Sequence, residues 1–392
     1  MTAQNQQRII GLDMHPDIFS AAALLGPNAA SAQVLWQHDR IETATLERWA
    51  CKYLQAGDII VLEASGNSFD VARRLHTCGH CALVLESAQA SKIKHNFCND
   101  DRQSAVKLAR VYLSGLAKEV WQPDARTRER RDVLFAHRSA VKDSTIARNR
   151  LRGFLNAHSV RLPAGTPLAK ERTEPLVLNL RPWSPTQRCL LQEQLRSIRD
   201  AQARRVRLEK LMIKELVGEP QWSQLWRLMG VRHIVAFALM AMVGAIERFP
   251  TAKHLVGYIG LAPRRTQSGN DRQGITHGVG GCGRKDLRGL LVQSAHNALN
   301  QRQSPLHKWG WRIHLRKNHN IAATAVARKL AVAIWHLLKG HYSQLEECSQ
   351  HLDKKLRTIA TVLGIDELRT MNFDSYNDFI SKQTQLIRAL SP

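Results

Sequence analysis

Two groups of residues in this 392-residue chain have the side chains needed for phosphodiester chemistry. The first lies in the segment 260–269, where Ser268 offers a hydroxyl nucleophile. Arg264 and Arg265 before it and Arg272 after it supply fixed positive charge for phosphate oxygens. Two further hydroxyls compete for the same role: Thr266 and Thr276. A serine is a weak nucleophile until a base, a metal or strong electrostatic help activates it. Ser268 is therefore either half of a larger site or an ordinary polar loop residue.

The second group consists of carboxylates that are far apart in the sequence. Asp13 ends the opening apolar run, Glu63 ends the run at 59–62, and Asp100 and Asp101 precede a helical pattern that starts at Gln103. Each acid alone is an ordinary turn former. Together they are the hard oxygen ligands that Mg²⁺ or Mn²⁺ requires, and such ions stabilise the attacking and leaving oxygens of a phosphodiester. The combination predicts a divalent-metal site.

The overall charge indicates a polyanionic partner. Lysine and arginine number 57 against 33 acidic residues, which gives a net charge of +24. Such an excess attracts nucleic acid or, less often, an anionic membrane. The longest uninterrupted apolar run, 234–246, is too short to span a bilayer, which favours nucleic acid. Seven scattered cysteines and no recognisable export signal predict a location in the reducing cytoplasm.

The sequence divides into at least three regions of different character, which must position these candidate residues. Residues 1–118 show strand patterns at 8–14, 19–25 and 34–38, followed by helices and strands in alternation. Two or three antiparallel strands followed by such an alternation are typical of an α/β fold of the ribonuclease-H-like kind. The acids at 13 and 63 fall at the ends of two of its predicted strands.

Residues 119–217 are basic and mostly helical in pattern, with 21 Lys/Arg against 11 Asp/Glu. An apolar stripe at three-to-four spacing predicts long helices and a coiled coil that pairs subunits. It consists of Leu191, Leu195, Ile198, Leu208, Met212 and Leu216, and it is interrupted at Arg205. The proline-rich stretch 163–185 is predicted to be a loop or linker. The basic bias favours phosphate contacts, for which Arg148, Arg150 and Arg152 are candidates.

Residues 218–340 are predicted to be mainly helical, and 341–392 carry no motif that indicates a role. A glycine-rich loop at 278–285 leads into a predicted helix at 286–300. It is not a P-loop, because Arg284 stands in the place of the lysine and no Ser or Thr follows. Backbone amides at the helix start can still hold a phosphate. Arg284, Lys285 and Arg288 are therefore further candidates for nucleic-acid binding.

Taken together, these motifs resemble the transposases of DEDD-type insertion sequences, the group that includes the Piv invertase and the bridge-RNA-guided serine recombinases. The resemblance extends over most of residues 8–340. It rests on Ile9-Ile-Gly-Leu-Asp13, Val61-Leu-Glu63-Ala-Ser-Gly, Asn99-Asp-Asp101, Tyr258-Ile-Gly-Leu-Ala-Pro-Arg-Arg-Thr-Gln-Ser268-Gly and Arg284-Lys-Asp-Leu-Arg-Gly-Leu-Leu-Val. The run around Ser268 is quite specific, whereas the acidic motifs are specific only in combination.

The resemblance implies a RuvC-like domain at 1–118, a helical coiled-coil connector at 119–217, and a transposase domain at 218–340 followed by an extension. It implies that Asp13, Glu63 and Asp101 bind Mg²⁺ beside Ser268 from a partner subunit. The serine would attack DNA and form a covalent phosphoserine. A structured guide RNA would pair with donor and target DNA, so that base pairing reads the sequence. The expected assembly is a homo-oligomer, a dimer that becomes a tetramer in the synaptic complex.

One position departs from the pattern of this family. Its acidic quartet ends Asp-x-x-Asp, and the matching residues here are Asp101 and Ser104. Asp100 is the nearest substitute, although neighbours on a helix point about 100° apart. Either the site works with three carboxylates, or cleavage is impaired. Two alternatives follow: a RuvC-like metal-dependent DNA nuclease that needs only the carboxylates, and a catalytically impaired relative that binds RNA and DNA.

Overall fold

A computed structural model describes residues 7–87, 101–266, 275–302, 304–341 and 349–390. The chain divides into two compact units, Met1–Asp124 and Ala125–Pro392, named here the α/β unit and the helical unit. The regions predicted as connector, transposase domain and extension all belong to the helical unit. Each unit is described by itself.

The α/β unit is built on a mixed five-stranded sheet. Its strands are β1 (Arg8–Met14), β2 (Ile18–Leu25), β3 (Gln33–Glu42), β4 (Ile59–Glu63) and β5 (Cys81–Leu85). Their spatial order is β3-β2-β1-β4-β5. The first three strands pair antiparallel, and β4 and β5 join β1 in parallel. The predicted α/β class is confirmed, and the third strand is longer than predicted.

Helices cover both faces of this sheet, which explains the nearly continuous apolar runs of its central strands. One face packs on α1 (Leu46–Tyr53) and α2 (Ser68–Thr77) through side chains such as Leu12. The other face packs on α3 (Asp101–Leu113) through Ile9 and Val61. Because side chains alternate along a strand, odd-numbered residues of β1 and β4 share the face of α3.

The helical unit contains the remaining helices and a two-stranded hairpin. Its helices are α4 (Ala125–Ala157), α5 (Thr173–Leu178), α6 (Pro185–Val217), α7 (Pro220–Ser223), α8 (His233–Val243), α9 (Ala252–Ile259), α10 (Lys285–Asn300), α11 (Pro305–Arg316), α12 (His319–Leu338), α13 (Ser349–Leu363), α14 (Ile365–Thr370) and α15 (Tyr376–Ala389). Several begin at side-chain caps. At α6, Ser184 precedes Pro185 and forms a reciprocal capping box with Gln187.

The two longest helices, α4 and α6, pack against each other as an antiparallel pair. Ion pairs join Arg130 to Glu219 near one end and Asp143 to Arg204 further along, so the residue numbers run in opposite directions. Leu191 and Leu195 of the predicted stripe are buried within the chain against α4. This stripe is therefore not the subunit-pairing surface that its spacing suggested. The long helices themselves are as predicted.

The proline-rich stretch 163–185 is mostly loop, as predicted, but it packs against the α4–α6 pair and is not a free linker. It contains the short helix α5, and Trp183 donates its indole N–H to the Val177 carbonyl at 3.2 Å. Leu168, Val177 and Trp183 are buried against the α4–α6 pair. The burial of a large aromatic side chain and its neighbours fixes this loop on the helices, while two of its prolines begin turns.

Helix α12 is the one helix in the described part of the chain that is long and apolar enough to cross a membrane by length and composition. Its buried residues, among them Val326, Leu330 and Ile334, belong to the main core of the helical unit. A core helix passes the same compositional test as a membrane span, and the burial of α12 fits a core helix.

Candidate functional site

Asp13 and Glu63 come to adjacent positions on neighbouring parallel strands. Leu12 of β1 pairs with Leu62 of β4, and Asp13 and Glu63 each follow directly. Neighbouring strands lie about 4.8 Å apart. By strand alternation both acids fall on the face that α3 covers, and both are half-buried. The sheet register therefore brings two predicted site residues together from positions fifty residues apart in the chain.

Helix α3 approaches the same strand at unusually short range. A Cβ built on Gly11 would lie 1.9 Å from the Ala105 carbonyl oxygen and 3.1 Å from the Ala109 backbone nitrogen. Only glycine allows the backbones to come so close. Ala105 follows the half-buried Ser104 and lies one turn after Asp101, where the helix begins. The second turn of α3 is thus held against Gly11 of β1, two residues before Asp13.

The loops that follow the two acids are tied by hydrogen bonds. After β4, the Ala64 backbone N–H donates to the Leu85 carbonyl at 2.9 Å, and the Ser87 hydroxyl donates to the Ala64 carbonyl at 2.7 Å. The Asn67 side-chain amide donates to the carbonyl of His15 at 3.0 Å, joining the loop after β4 to the turn after β1. Sequence reasoning did not single out Asn67. Its nearness to the Glu63 motif is the signal that points to it.

The chemistry of this pair fits a hard divalent cation, because two carboxylates supply oxygen ligands at one sheet edge. Within the described side chains, no group of three or more His, Cys, Asp and Glu residues is arranged to hold a metal. Asp100 and the side chain of Asp101 lie outside the described residues. The third acidic ligand of the predicted site stays a prediction.

The serine segment belongs to a hairpin in the helical unit. Strands β6 (Pro263–Thr266) and β7 (Ile275–Val279) pair antiparallel, with Thr266 opposite Ile275. Ser268 and Arg272 lie in the connecting segment, which is outside the described residues, as are the side chains of Arg264 and Arg265. The segment was predicted as a loop from Gly260 onwards, so the strand at its start is a correction. The four residues of β6 are proline or polar, so they show no apolar alternation that would predict a strand.

Close backbone packing and hydrogen bonds join the segment before this hairpin to the glycine-rich loop. Gly260 and Gly283 both have positive φ, and a Cβ on Gly283 would lie 2.6 Å from the Gly260 Cα. Arg288 donates from one guanidinium nitrogen to three carbonyls, those of Gly260, Gly280 and Cys282, at 3.0–3.1 Å. Arg288 was predicted to bind nucleic acid. In the structure it organises the loop, and its contact with phosphate stays a prediction.

The neighbouring cations at the start of α10 differ in their availability. Arg284 is half-buried and paired with Asp286 at 2.9 Å, and Arg138 of α4 reaches the same carboxylate at 3.2 Å. Burial raises the pKa of Asp286, but the hydrogen bond and charge of Arg284 outweigh it, so that this pKa lies below its ordinary value. Lys285 is exposed. Lys285 is thus the freer of the two predicted phosphate ligands.

The predicted cations on α4 are available for external partners. Arg150 and Arg152 are exposed and Arg148 is half-buried. Within the described residues none of the three takes part in an ion pair. Arg152 also lines a cavity of about 330 Å³ together with Arg161. Exposed arginines without acidic neighbours are suited to phosphate contacts.

Two arginines that sequence reasoning missed cap the end of α8. Arg131 donates to the Ala241 carbonyl at 3.0 Å and Arg248 donates to the Val243 carbonyl at 2.9 Å. Arg248 also lies over the rings of Phe249 and Tyr258. Burial lowers the pKa of both guanidinium groups. Cations at a helix C-terminus neutralise its exposed carbonyls, so these two arginines have a structural role.

Comparison of the sequence with known proteins indicates the class of protein that the chain resembles. Residues 223–309, which include the hairpin and the glycine-rich loop, match the model of the Transposase IS116/IS110/IS902 family. Transposases of insertion sequences are enzymes that cut and rejoin DNA, and this match supports that class for the chain.

Relatives extend the similarity beyond this segment. The chain is 26% identical to the transposase for insertion sequence element IS1111A of Coxiella burnetii, over 84% of this chain and 89% of that protein. It is 25% identical to the y4qE protein of Sinorhizobium fredii, which is named as a transposase, over 71% and 74%. These matches support an insertion-sequence transposase. They confirm the coarser part of the resemblance.

Proposed function

We propose that the protein is a DNA transposase that exchanges strands through a phosphoserine at Ser268, assisted by a Mg²⁺ or Mn²⁺ site on Asp13, Glu63 and Asp101. The observation that carries the proposal is the placement of Asp13 and Glu63 directly after a paired Leu12 and Leu62, on the face covered by α3. The strand order and directions also support a ribonuclease-H-like, RuvC-like sheet. Similarity to transposases supplies the substrate class.

The chemical roles divide between the two units. The Ser268 oxygen forms a bond to phosphorus while a DNA strand oxygen leaves, and a strand hydroxyl later displaces the serine. Arg264 and Arg265 neutralise phosphate oxygens as charge builds up. Asp13 and Glu63 would hold the metal, which when bound stabilises negative charge on the attacking and leaving oxygens. In line with the resemblance, a partner subunit supplies the serine, and a structured guide RNA selects donor and target DNA.

The experiment is a strand-exchange reaction with the full-length protein, donor and target DNA, the non-coding RNA that flanks the gene, and Mg²⁺. Denaturing gels measure both recombined strands and a covalent protein–DNA adduct. We expect Ser268→Ala to abolish both products. Asp13→Asn should slow both at least about 100-fold, since the loss of one charge-stabilising group has an effect of this order. Asp17→Asn is the matched control, because Asp17 is exposed in the adjacent turn.

Two outcomes would replace the proposal with an alternative. Cleavage that persists in Ser268→Ala and disappears in Asp13→Asn identifies a metal-dependent nuclease. No cleavage in the natural sequence, and no gain from Ser104→Asp while RNA and DNA still bind, identifies a catalytically impaired binding protein. This second function is favoured by the half-buried Ser104 near the start of α3, because a serine stands there in place of the last acid of the quartet.

A further inference from the structure

The helical unit contains a cavity with both charged and apolar lining residues, and the roles above do not account for it. It has a volume of about 570 Å³ and opens between α4, α6, α8 and α10. Cavities of roughly 300–1,000 Å³ are the usual size for small-ligand sites. All of its lining residues belong to the helical unit, and we refer to it as the α4–α10 cavity.

Four cations surround the α4–α10 cavity: Arg138, Lys142, Arg205 and Lys285. Two carboxylates oppose them, since Asp286 accepts from Arg138 at 3.2 Å and Glu209 lies 3.3 Å from Arg205. Lys142 and Lys285 are exposed and take part in no ion pair within the described residues. The rim therefore has an excess of positive charge, which favours an anionic ligand.

The inner wall of the cavity is unusually polar for a protein interior. His137 and Glu209, both more than nine-tenths buried, form a hydrogen-bonded pair at 3.2 Å. His233 lies 3.8 Å from the other carboxylate oxygen, too far for a hydrogen bond. Burial raises the pKa of Glu209, but the hydrogen bond from His137 and the interactions with His233 and Arg205 outweigh it, so this pKa lies well below its ordinary value. The wall thus holds a fixed negative charge that keeps Arg205 in place.

One donor in this wall makes an ion pair but no hydrogen bond. The buried Arg205 Nε lies 3.3 Å from the Glu209 carboxylate, without the geometry of a hydrogen bond to any described residue. A buried donor of this kind is costly unless a further group satisfies it. A ligand oxygen that enters the cavity would provide that group.

The remaining lining is largely apolar and can pack against the face of a ring. Leu134, Val141, Ile234 and Leu290 contribute it. Gln293 at the edge offers both a donor and an acceptor. A phosphate alone needs no apolar pocket of this size, and a duplex keeps its bases stacked away from such a pocket. A base released from a single strand offers an apolar face together with a phosphate and a polar edge.

We infer that the α4–α10 cavity binds one unpaired nucleotide of a single-stranded nucleic acid. The base packs on the apolar wall, and the phosphate lies at Lys142, Lys285 and Arg205. This inference rests on the nucleic-acid binding of the proposed function and not on its strand-exchange chemistry. RNA and DNA strands share the recognised groups, so the experiment must distinguish them.

A glycine allows the cavity to be filled without a change of charge. Gly289 lines the cavity on α10, and a Cβ there would meet nothing within 4 Å. Gly289→Leu therefore occupies space that the base would use. Gly257→Leu is the matched control, because Gly257 is also helical, has the same free space and lies outside the cavity. Val141→Trp narrows the cavity from the opposite helix and tests the same point independently.

The measurement is fluorescence anisotropy with three labelled 20-nucleotide probes of one sequence: single-stranded RNA, single-stranded DNA and duplex DNA. The full-length Ser268→Ala protein serves as the background, so that no reaction interferes. We expect Gly289→Leu and Val141→Trp each to weaken single-strand binding about 10-fold and duplex binding less than 2-fold, whereas Gly257→Leu changes neither. The probe that loses more affinity identifies RNA or DNA as the source. Thermal melting verifies that each variant is folded.

A second readout locates the contact directly. Photocrosslinking of a 4-thiouridine or 5-iodouracil probe, followed by peptide mapping, should place the adduct on α4 or α10 and lose it in Gly289→Leu. Unchanged single-strand affinity in the folded Gly289→Leu and Val141→Trp variants overturns the inference and leaves the proposed function intact. Equal losses for duplex and single strand also overturn it. Failure of the unsubstituted chain to bind any of the probes overturns both.

Discussion

The α/β unit and the helical unit differ sharply in charge. Residues 1–124 contain 12 Lys/Arg and 13 Asp/Glu, whereas residues 125–392 contain 45 and 20. The entire positive excess of the chain therefore belongs to the helical unit. A nearly neutral unit can concentrate carboxylates for a metal, because neighbouring cations do not compete for them. A strongly basic unit attracts the nucleic acid. This difference in charge indicates that the α/β unit supports the chemistry and the helical unit binds the nucleic acid.

The largest expected effect is a loss of stability in the α/β unit, and it tests whether the two units have separate roles. In Gly11→Ala the new Cβ would lie 1.9 Å from the Ala105 carbonyl, so α3 must move away from β1. Overpacking of this kind costs up to about 3 kcal/mol. Urea unfolding measures the loss, and affinity for duplex DNA should stay the same.

Gly66→Ala is the control for this change, since a Cβ on Gly66 meets nothing within 4 Å. If Gly11→Ala is as stable as Gly66→Ala, then α3 does not depend on close backbone contact for its position. If Gly11→Ala instead weakens DNA binding while the chain stays folded, the division between the units is wrong.

The next effect concerns nucleic-acid affinity in the helical unit. Replacing Arg148, Arg150 and Arg152 together by Gln should weaken duplex binding about 10-fold, because each phosphate contact releases counterions. The slope of log affinity against log salt should fall by up to about 3, roughly one for each lost contact. Anisotropy titrations at several salt concentrations measure both quantities.

A matched substitution in the α/β unit tests whether location matters. Arg48, Lys52 and Lys118 are exposed, and their joint replacement by Gln removes the same charge. We expect the salt slope to stay within error of the natural sequence. An equal fall in slope for the two triple variants would show that net charge, and not the helical unit, governs binding.

The smallest effect is a pH-dependent one in the helical unit. The pKa of Glu209 lies below its ordinary value of 4.5 in the folded chain, so its ionisation contributes stability above that pH. This contribution is lost as pH falls through the acid range below 4.5, where the unfolded chain binds the proton first. Glu209→Gln should therefore lower stability by about 1 kcal/mol at neutral pH, since the charge-assisted hydrogen bond of His137 is weakened.

Urea unfolding at two pH values provides the measurement for Glu209→Gln. The difference from the natural sequence should shrink in acid, because proton binding by Glu209 in the unfolded natural chain lowers the stability of that chain. Glu193→Gln is the control, because Glu193 pairs with Arg196 in an exposed position where ion pairs contribute little. A difference that is the same at both pH values would show that packing, and not charge, explains the effect of Glu209→Gln.

The two units also differ in how far the sequence predicted them. In the α/β unit, β1 has the predicted bounds and β2 begins one residue before its predicted start, because continuous apolar runs mark buried strands. In the helical unit, α10 begins one residue before the predicted helix 286–300, and 163–185 is mostly the predicted loop, but neither β6 nor the packing of 163–185 was predicted. The sequence of β6 is polar, and the packing of 163–185 depends on contacts with distant residues such as Leu191.

The sequence by itself determined the local elements, the position of Asp13 and Glu63 at two strand ends, and the basic character of the second half of the chain. It also indicated a transposase, because motifs with fixed spacing can be recognised without coordinates. Only the tertiary structure decided that β1 and β4 are neighbours in register, that Arg288 clasps three carbonyls, and that the helix stripe is buried within the chain. The physical reason is that pairing, close approach and cavities arise between residues far apart in the chain, where local periodicity carries no information.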